Sequence, residues 1–335
     1  MSNDSAQLVI AGKKVDQFIS FRAEADLFNA ADAFDASFSG SLPGAAPGMA
    51  VKLYINGVLE LTGIADSIGR TVDKSSMVTS VRGRDLMGLL VDSCCEKFGD
   101  AAASETLQSL AGRLLVNVPF INRKNIIYGK GTKTATSSGK KESNPVAQRI
   151  DPGKTIFDVL REAAASRGML FWAMPDGTFV FGTPRTSGKA EFSITVGKNT
   201  NAESGSVTSD ISGRHSKIVV VDQNANGNAL ATVSDSSFPF AKPLVTSAAS
   251  DGVSPAKQAQ LAMNQERLSG FSLSYTVPGH SQNGRNWAIN SVCRVKDEAL
   301  EINGDYLIAG RTFSLDKDKG ATTELTLSLL GILTV

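Results

Sequence analysis

The chain has 335 residues and a formal net charge of +1, so no net field draws it to nucleic acid or to an anionic membrane. Charged residues make up 20% and aromatic residues 7%, a modest aromatic supply for a protein that stacks on sugars or bases. The first residues, MSNDSAQLVI, lack the basic and apolar stretches of an export signal, and the longest apolar runs are too short to span a bilayer. The expectation is a chain without a standard export signal and without stable membrane insertion. Cys94, Cys95 and Cys293 are the whole cysteine inventory. An odd count with an adjacent pair is a poor disulfide framework, so reduced thiols and cytosolic synthesis are expected. The length suits about two to four domains.

Residues 7–10 and 17–25 alternate as strands do, the second setting Phe18, Ser20, Arg22 and Glu24 against Ile19, Phe21, Ala23 and Ala25. Residues 33–38 place Phe34, Ala36 and Phe38 on one face. A link holding Pro43 and Pro47 leads to Asn56-Gly57, the pair that supplies two positive-φ residues to a tight hairpin. Gly63 follows as a further expected turn residue, then the charged tip Asp73-Lys74 and an outgoing strand that ends near Gly83. Residues 1–95 thus read as an N-terminal β-barrel, with a short helix over 85–91 at its exit.

The middle changes character. Ser104 is placed to cap a helix with Leu107, Leu110, Ala111 and Leu114 on one stripe. Thr155 and Asp158 form a capping-box-like start for a second helix, with Ile156, Val159, Leu160 and Ala163 inward and Gly168 as its stop. A hairpin turning on Pro175-Asp176-Gly177 comes next. Residues 96–187 read as a small α+β domain. Inside it, 123–149 is a long basic loop in which Lys130, Lys133, Lys140, Lys141 and Arg149 outnumber Glu142. A solvated projection is the expectation; the four lysines are the candidate partner contact.

Residues 191–196 and 217–222 are strands, and Ser254-Pro255 opens a helix that runs to about 269. Phe271, Leu273, Tyr275 and Val277 alternate inward. Asn303-Gly304 lies between two apolar runs and predicts another hairpin turn, followed by Gly310 as a further expected turn residue at the spacing that Gly63 keeps from Asn56-Gly57. A charged tip at 316–320 leads to alternating Leu325, Leu327 and Leu329. Residues 188–224 with 271–335 therefore read as a second β-barrel, interrupted by an inserted turn and helix segment at 225–270. The shared spacing suggests a duplicated β-unit, although turn chemistry alone would also put Asn-Gly in two unrelated hairpins.

No catalytic constellation emerges. His215 and His280 stand alone, without metal-ligand spacing. Gly139-Lys140 is not a phosphate loop, because Thr134 replaces its first glycine and Lys141 its magnesium-binding hydroxyl. There is no nucleophile elbow, and no carboxylate pair takes acid and base roles. The expectation is no enzyme, no metal and no cofactor.

The order of segments resembles the Mu-like tail protein P family, the baseplate hub proteins of contractile-tailed phages and prophages. Its carriers are 51–63, Arg82-Gly83-Arg84-Asp85-Leu86, Leu90-Val91-Asp92, 152–160, the Asp176-Gly177 hairpin and Tyr275-Thr276-Val277-Pro278-Gly279-His280. Trp287, residues 292–297, Leu307-Ile308 and Gly320 complete them. His280 departs from the aromatic residue, often Trp, expected there. The resemblance implies a β-rich α+β multidomain fold with two similar small antiparallel β-barrels per chain. Three chains would form a ring of pseudo-sixfold symmetry. Such a homotrimer would join a trimeric tail spike to the tail tube and other baseplate proteins, with DNA only in transit through its channel. It would assemble in the host cytoplasm and end in the virion tail baseplate. The hub of a bacteriocin or secretion device, and a tail-associated peptidoglycan hydrolase, are the alternatives.

Overall fold

The computed structural model describes residues 4–100, 105–129, 149–222, 229–248, 254–316 and 320–331. Lys130, Lys133, Lys140 and Lys141, the expected helix cap Ser104 and the tip residues 317–319 lie outside that set.

Seven strands occupy the N-terminal stretch: β1 (Ala6–Ile10), β2 (Lys13–Val15), β3 (Phe18–Asp26), β4 (Ala33–Ser39), β5 (Ala50–Ile55), β6 (Val58–Val72) and β7 (Met77–Asp85). They pair in the spatial order β3-β4-β7-β6-β5-β1-β2. The free side of β3 is hydrogen-bonded to the Ile302–Asp316 strand, and the sheet continues through Gly320–Leu329 and Phe271–Pro278 to Ser204–Ser209. Ser291–Asp297 pairs with the first half of Ile302–Asp316 and, in parallel, with Phe192–Val196. Where two separate barrels were expected, the strands form one 13-stranded sheet whose halves meet at β3. Among the described residues no strand pair closes either half. The alternation read from the sequence explains the sheet's two faces: Phe21, Phe34, Phe38, Tyr275 and Phe313 fill one continuous core on one side, while polar residues occupy the other.

Three expected turns are corrected. Asn56-Gly57 does form the β5-β6 turn, with φ of 52° and 75°. Asn303 and Gly304 instead lie within a strand, opposite Lys296 and Val295. The chain reverses just before them, because Asp297 Oδ1 accepts from the backbone N–H groups of Ala299 and Leu300 and Glu301 takes the positive φ of 56°. Gly63 and Gly310 are also in strands rather than turns. A Cβ on Gly63 would stand 1.9 Å from the Arg84 carbonyl oxygen, and one on Gly310 2.4 Å from Asp26 Oδ2. Close approach, not a turn, requires those two glycines.

The middle segment supplies helices α1 (Met87–Asp92), α2 (Leu107–Leu114) and α3 (Ile156–Ala165), and the hairpin Leu170–Ala173 with Phe179–Gly182. Thr106 caps α2 by accepting from Ser109 N. Thr155 caps α3 as read, through Asp158 N at 3.0 Å, and Gly168 has a φ of 71° beyond its end. Leu107, Leu110, Leu160, Phe171 and Phe181 make this unit's core. A third, smaller core places helix α4 (Pro255–Ser269) on Lys217–Asp222, which pairs with Ala229–Ser234 and Pro243–Ser247. Lys217–Asp222 was expected in the second β-unit. It belongs with the insertion, and the Ala229–Ser234 strand was missed because its stretch reads as polar and turn-rich.

The two halves of the long sheet share several local features at matching places. Thr79 on β7 and Thr323 on Gly320–Leu329 are both fully buried. Each donates its hydroxyl at 2.6 Å to a glycine carbonyl, that of Gly40 and that of Gly279. Those glycines have φ of 93° and 73°, and their N–H groups donate to Met77 O and Ala321 O. The strands β6 and Ile302–Asp316 each have 15 residues and a register shift near mid-length, at Ala65/Ser67 and at Ile308/Gly310. Asp26 and Asp210 each close a local turn by accepting from the backbone two residues on. By this register the counterpart of Gly310 is Ser67, not Gly63. The two halves share this local geometry, and the Asn-Gly spacing that suggested a duplicated unit is not part of it.

Candidate functional site: the polar face of the long sheet

Opposite the core, eight strands from Ser204–Ser209 to β6 present one face rich in serine and threonine. Strand alternation dictates this, since every second residue of each strand is turned away from the core. A single row crosses six strands through Thr322, Ser314, Arg22, Asp35, Arg82 and Ser67, each opposite the next. Nearer the far edge, the Ser206 and Ser274 hydroxyls lie 2.8 Å apart.

The charges on this face neutralise one another. Arg22 Nε donates to Glu24 Oε1 at 2.6 Å, and Arg82 Nε to Asp35 Oδ2 at 2.6 Å. Arg84 is held by two carboxylates, Asp66 at 2.7 Å and Asp92 at 2.6 Å. Those bonds, from Asp92 first and then Asp66, raise the guanidinium's pKa, and Arg84 in turn lowers that of Asp92. The Arg82–Asp35 pair is exposed and contributes about 0–1 kcal/mol. Its effect is on the potential, because an arginine engaged by a carboxylate is a poor phosphate ligand. The signal was in the sequence as charged residues at outward strand positions: Arg22 and Glu24, Asp35, and Arg82 and Arg84. It stayed unread because strand pairing, which sets the charges side by side, was unknown.

Half-buried polar contacts also tie the two halves together. Asn286 donates to Glu60 Oε1 at 2.7 Å and to the Ile55 carbonyl at 2.8 Å, and accepts from Asn56 at 3.0 Å. The Asn56 side chain thus does more than shape a turn. Gly57 completes that turn, whereas Gly63, Asn303, Gly304 and Gly310 serve the strands. His280 is buried between Phe21 and Phe313, with ring centroids 5.5 Å and 5.0 Å away. His215 Nδ1 faces Glu266 Oε1 at 2.7 Å. Cys94 is exposed and Cys95 buried, both as free thiols. Among the described residues, no group of three or more histidine, cysteine or acidic side chains is arranged to hold a metal, and no helix is long and apolar enough to cross a membrane.

Residues 5–85 match the family model described as Mu phage baseplate assembly protein GpP-like, N-terminal. Residues 265–332 match the NMB1110-like tail protein, C-terminal domain. Baseplate hub protein gp44 of Escherichia phage Mu is 23% identical over 304 residues, covering 86% of this chain and 76% of that protein. The crystal structure of the tail protein from Neisseria meningitidis MC58 superposes with a TM-score of 0.83 at 25% identity, over 98% of both chains. The 43 kDa tail protein of prophage MuSo2 from Shewanella oneidensis gives 0.79 at 23% identity, over 99% of both. The two family matches fall on the two halves of the sheet, and the likeness to whole tail proteins runs the length of the molecule: the chain is similar throughout to the Mu-like baseplate proteins of phage-type tails.

Proposed function

We propose that this protein is the structural hub of a contractile tail's baseplate. In this reading three copies form a ring of pseudo-sixfold symmetry that joins a trimeric spike to the sixfold tail tube, without enzymatic activity of its own. The observation that carries it is the repeat of Gly40 and Thr79 as Gly279 and Thr323 in two half-sheets joined side by side. Two like units per chain are what a threefold assembly needs to present six similar faces.

The polar face is the lining of the ring's channel. Serine and threonine give neutral contacts, and arginines already held by carboxylates release few counterions to a passing nucleic acid, so DNA is not trapped. The 5–85 and 271–331 stretches, with 188–209, are the ring units; the segments at 96–187 and 217–269 decorate it. Lys130, Lys133, Lys140 and Lys141 are a contact for another baseplate protein. Assembly takes place in the host cytoplasm and the product sits in the virion tail. Electron-microscopy averages of the purified assembly test the reading. Six similar lobes around an open centre are expected; a solid particle, or one with twofold symmetry, would contradict it.

A further inference from the structure

Away from the polar face, Asp26 at the end of β3, Asp32 just before β4 and Asp85 at the end of β7 line one small cavity, with room for about one water. Its other walls come from the rest of the molecule: Met87 of α1, Trp172 and Ala173 of the middle hairpin, and Ile289 of the second half. The two half-sheets and the middle unit thus meet over these carboxyl groups. Asp32 stands one step beyond the Ala33–Arg84 pair, directly opposite Asp85, and its carbonyl accepts from Asp85 N at 2.9 Å. Directly opposed residues have Cβ atoms about 4.5–5.5 Å apart, so the two carboxyl groups are neighbours. Backbone N–H groups fix the set: Asp26 N donates to Asp32 Oδ1 at 2.9 Å, Phe28 N to Asp26 Oδ1 at 2.7 Å and Met87 N to Asp85 Oδ1 at 3.0 Å.

Little positive charge reaches the cluster. Asp85 is 6% exposed. Arg311 is the cation that acts on Asp32, but its Nη groups are taken by Glu60 and the Trp287 carbonyl. Glu24 on β3 adds a further negative charge. Arg84, next to Asp85 in the chain, faces the other way, onto Asp66 and Asp92. The walls from the middle unit and Ile289 carry no charge. Two neighbouring carboxylates so placed do not both ionise readily. Burial, and then the charge of Asp32, pushes Asp85 well above the ordinary carboxylate range. Burial pushes Asp32 up to about 7; the Asp26 N–H and Arg311 oppose the shift, and the charges of Asp26 and Glu24 add to it.

We propose that Asp32 and Asp85 hold a proton as a pair and so form a pH-sensitive catch, which keeps the middle hairpin closed on the sheet and releases it when the proton is lost. The hairpin is the element that yields. Asp85 belongs to β7, which is paired on both sides, whereas Leu170–Ala173 is the outer strand of a three-stranded sheet. The hairpin's turn only rests on the sheet: a Cβ on Gly177 would stand 2.9 Å from Leu86 Cδ1 and 3.6 Å from Thr62 Cγ2. A bare carboxylate beneath Trp172 gains water at least cost when that hairpin lifts. An exposed aspartate has a pKa of 3.8, so the closed form binds the extra proton. The catch is therefore whole below about pH 4 and weakens as pH rises through about 7. It is a property of the single chain and does not rest on the ring reading.

The test is hydrogen exchange of the full chain between pH 5 and pH 8, followed by mass spectrometry, with each rate divided by the intrinsic rate at that pH. Exchange in residues 170–182 should quicken by up to about tenfold per pH unit, while the Ile302–Asp316 strand shows no such change. With Asp32→Asn and Asp85→Asn combined, the pair is neutral at every pH and the hairpin should keep its slow exchange throughout. Each single variant should lose part of the pH dependence, and these decide the matter if the double variant does not fold. Hairpin exchange that stays flat from pH 5 to 8 in the parent overturns the proposal. So does a quickening that is as large in the Asn variants, or as large in the Ile302–Asp316 strand.

Discussion

Arg311 Nη2 donates to Glu60 Oε2 at 2.5 Å, and the two side chains are 5% and 8% exposed. Glu60 is on β6 and Arg311 on Ile302–Asp316, so this buried ion pair spans the two halves of the repeat. Arg311 Nη1 also donates to the Trp287 carbonyl at 2.6 Å, and its guanidinium sits 4.1 Å from the Phe313 ring centre. A buried charge is tolerable only while its partners are in place. Glu60→Ala should therefore destabilise by about 3–5 kcal/mol, measured as a shift of the urea unfolding midpoint. A loss below about 1 kcal/mol would show that the halves do not depend on this pair.

His280 makes stability depend on acid. Burial lowers its pKa from 6.5 to about 4; Asp4 works against the shift and Arg311 with it. The folded protein thus favours the neutral imidazole. Its contribution is whole above pH 6.5 and is lost as pH falls from there through about 4. Nε2 is buried without a partner, so His280→Phe keeps the aromatic contacts and removes an orphaned polar atom. The variant should be as stable as the parent or about 1 kcal/mol more so at pH 7. Its stability should fall less steeply between pH 6.5 and 4. Identical pH profiles for the two would contradict the assignment.

The matched threonines make matched predictions. Thr79→Val and Thr323→Val are nearly isosteric, yet each removes the donor to a glycine carbonyl. Each should cost about 1–3 kcal/mol, and thermal unfolding should show losses of similar size at the two sites. A cost at one site only would mean that the repeat is one of shape and not of energetics.

Among the residues expected in turns the costs should separate by cause. Gly63→Ala drives a Cβ into backbone that cannot retreat and should cost about 4 kcal/mol or more, or prevent folding. Gly57→Ala has open space around the new methyl but keeps a φ of 75°, so strain of about 1–2 kcal/mol is expected. Asn303→Ala loses only an acceptor for Arg294 at 2.7 Å on an exposed strand and should stay within about 0.5–1 kcal/mol. Chemical denaturation of the three variants gives the order directly.

Much of this architecture could be read before the fold was known, where the signal is local. Thr155 with Asp158, Ser254-Pro255 and Asn56-Gly57 dictate their caps and turns through the nearest few residues, and all three appear as read. Asn303-Gly304 misled because the same dipeptide suits a strand when a neighbour turns the chain first. Asp297 does so, and also accepts from the Tyr275 hydroxyl at 2.9 Å, a partner 22 residues away. The joining of two expected barrels into one sheet, and the Arg22–Asp35–Arg82 row, depend on pairings between distant strands that no single window contains. Thr79 and Thr323 look ordinary in sequence; burial and a glycine carbonyl make them the clearest mark of the repeat.

The mass of the purified protein in solution, measured by light scattering on a sizing column with and without a cognate trimeric spike protein, tests the hub assignment most directly. Three copies of the 35.2 kDa chain are the predicted particle, formed alone or on mixing with the spike. A chain that stays monomeric at micromolar concentration and ignores the spike would contradict it.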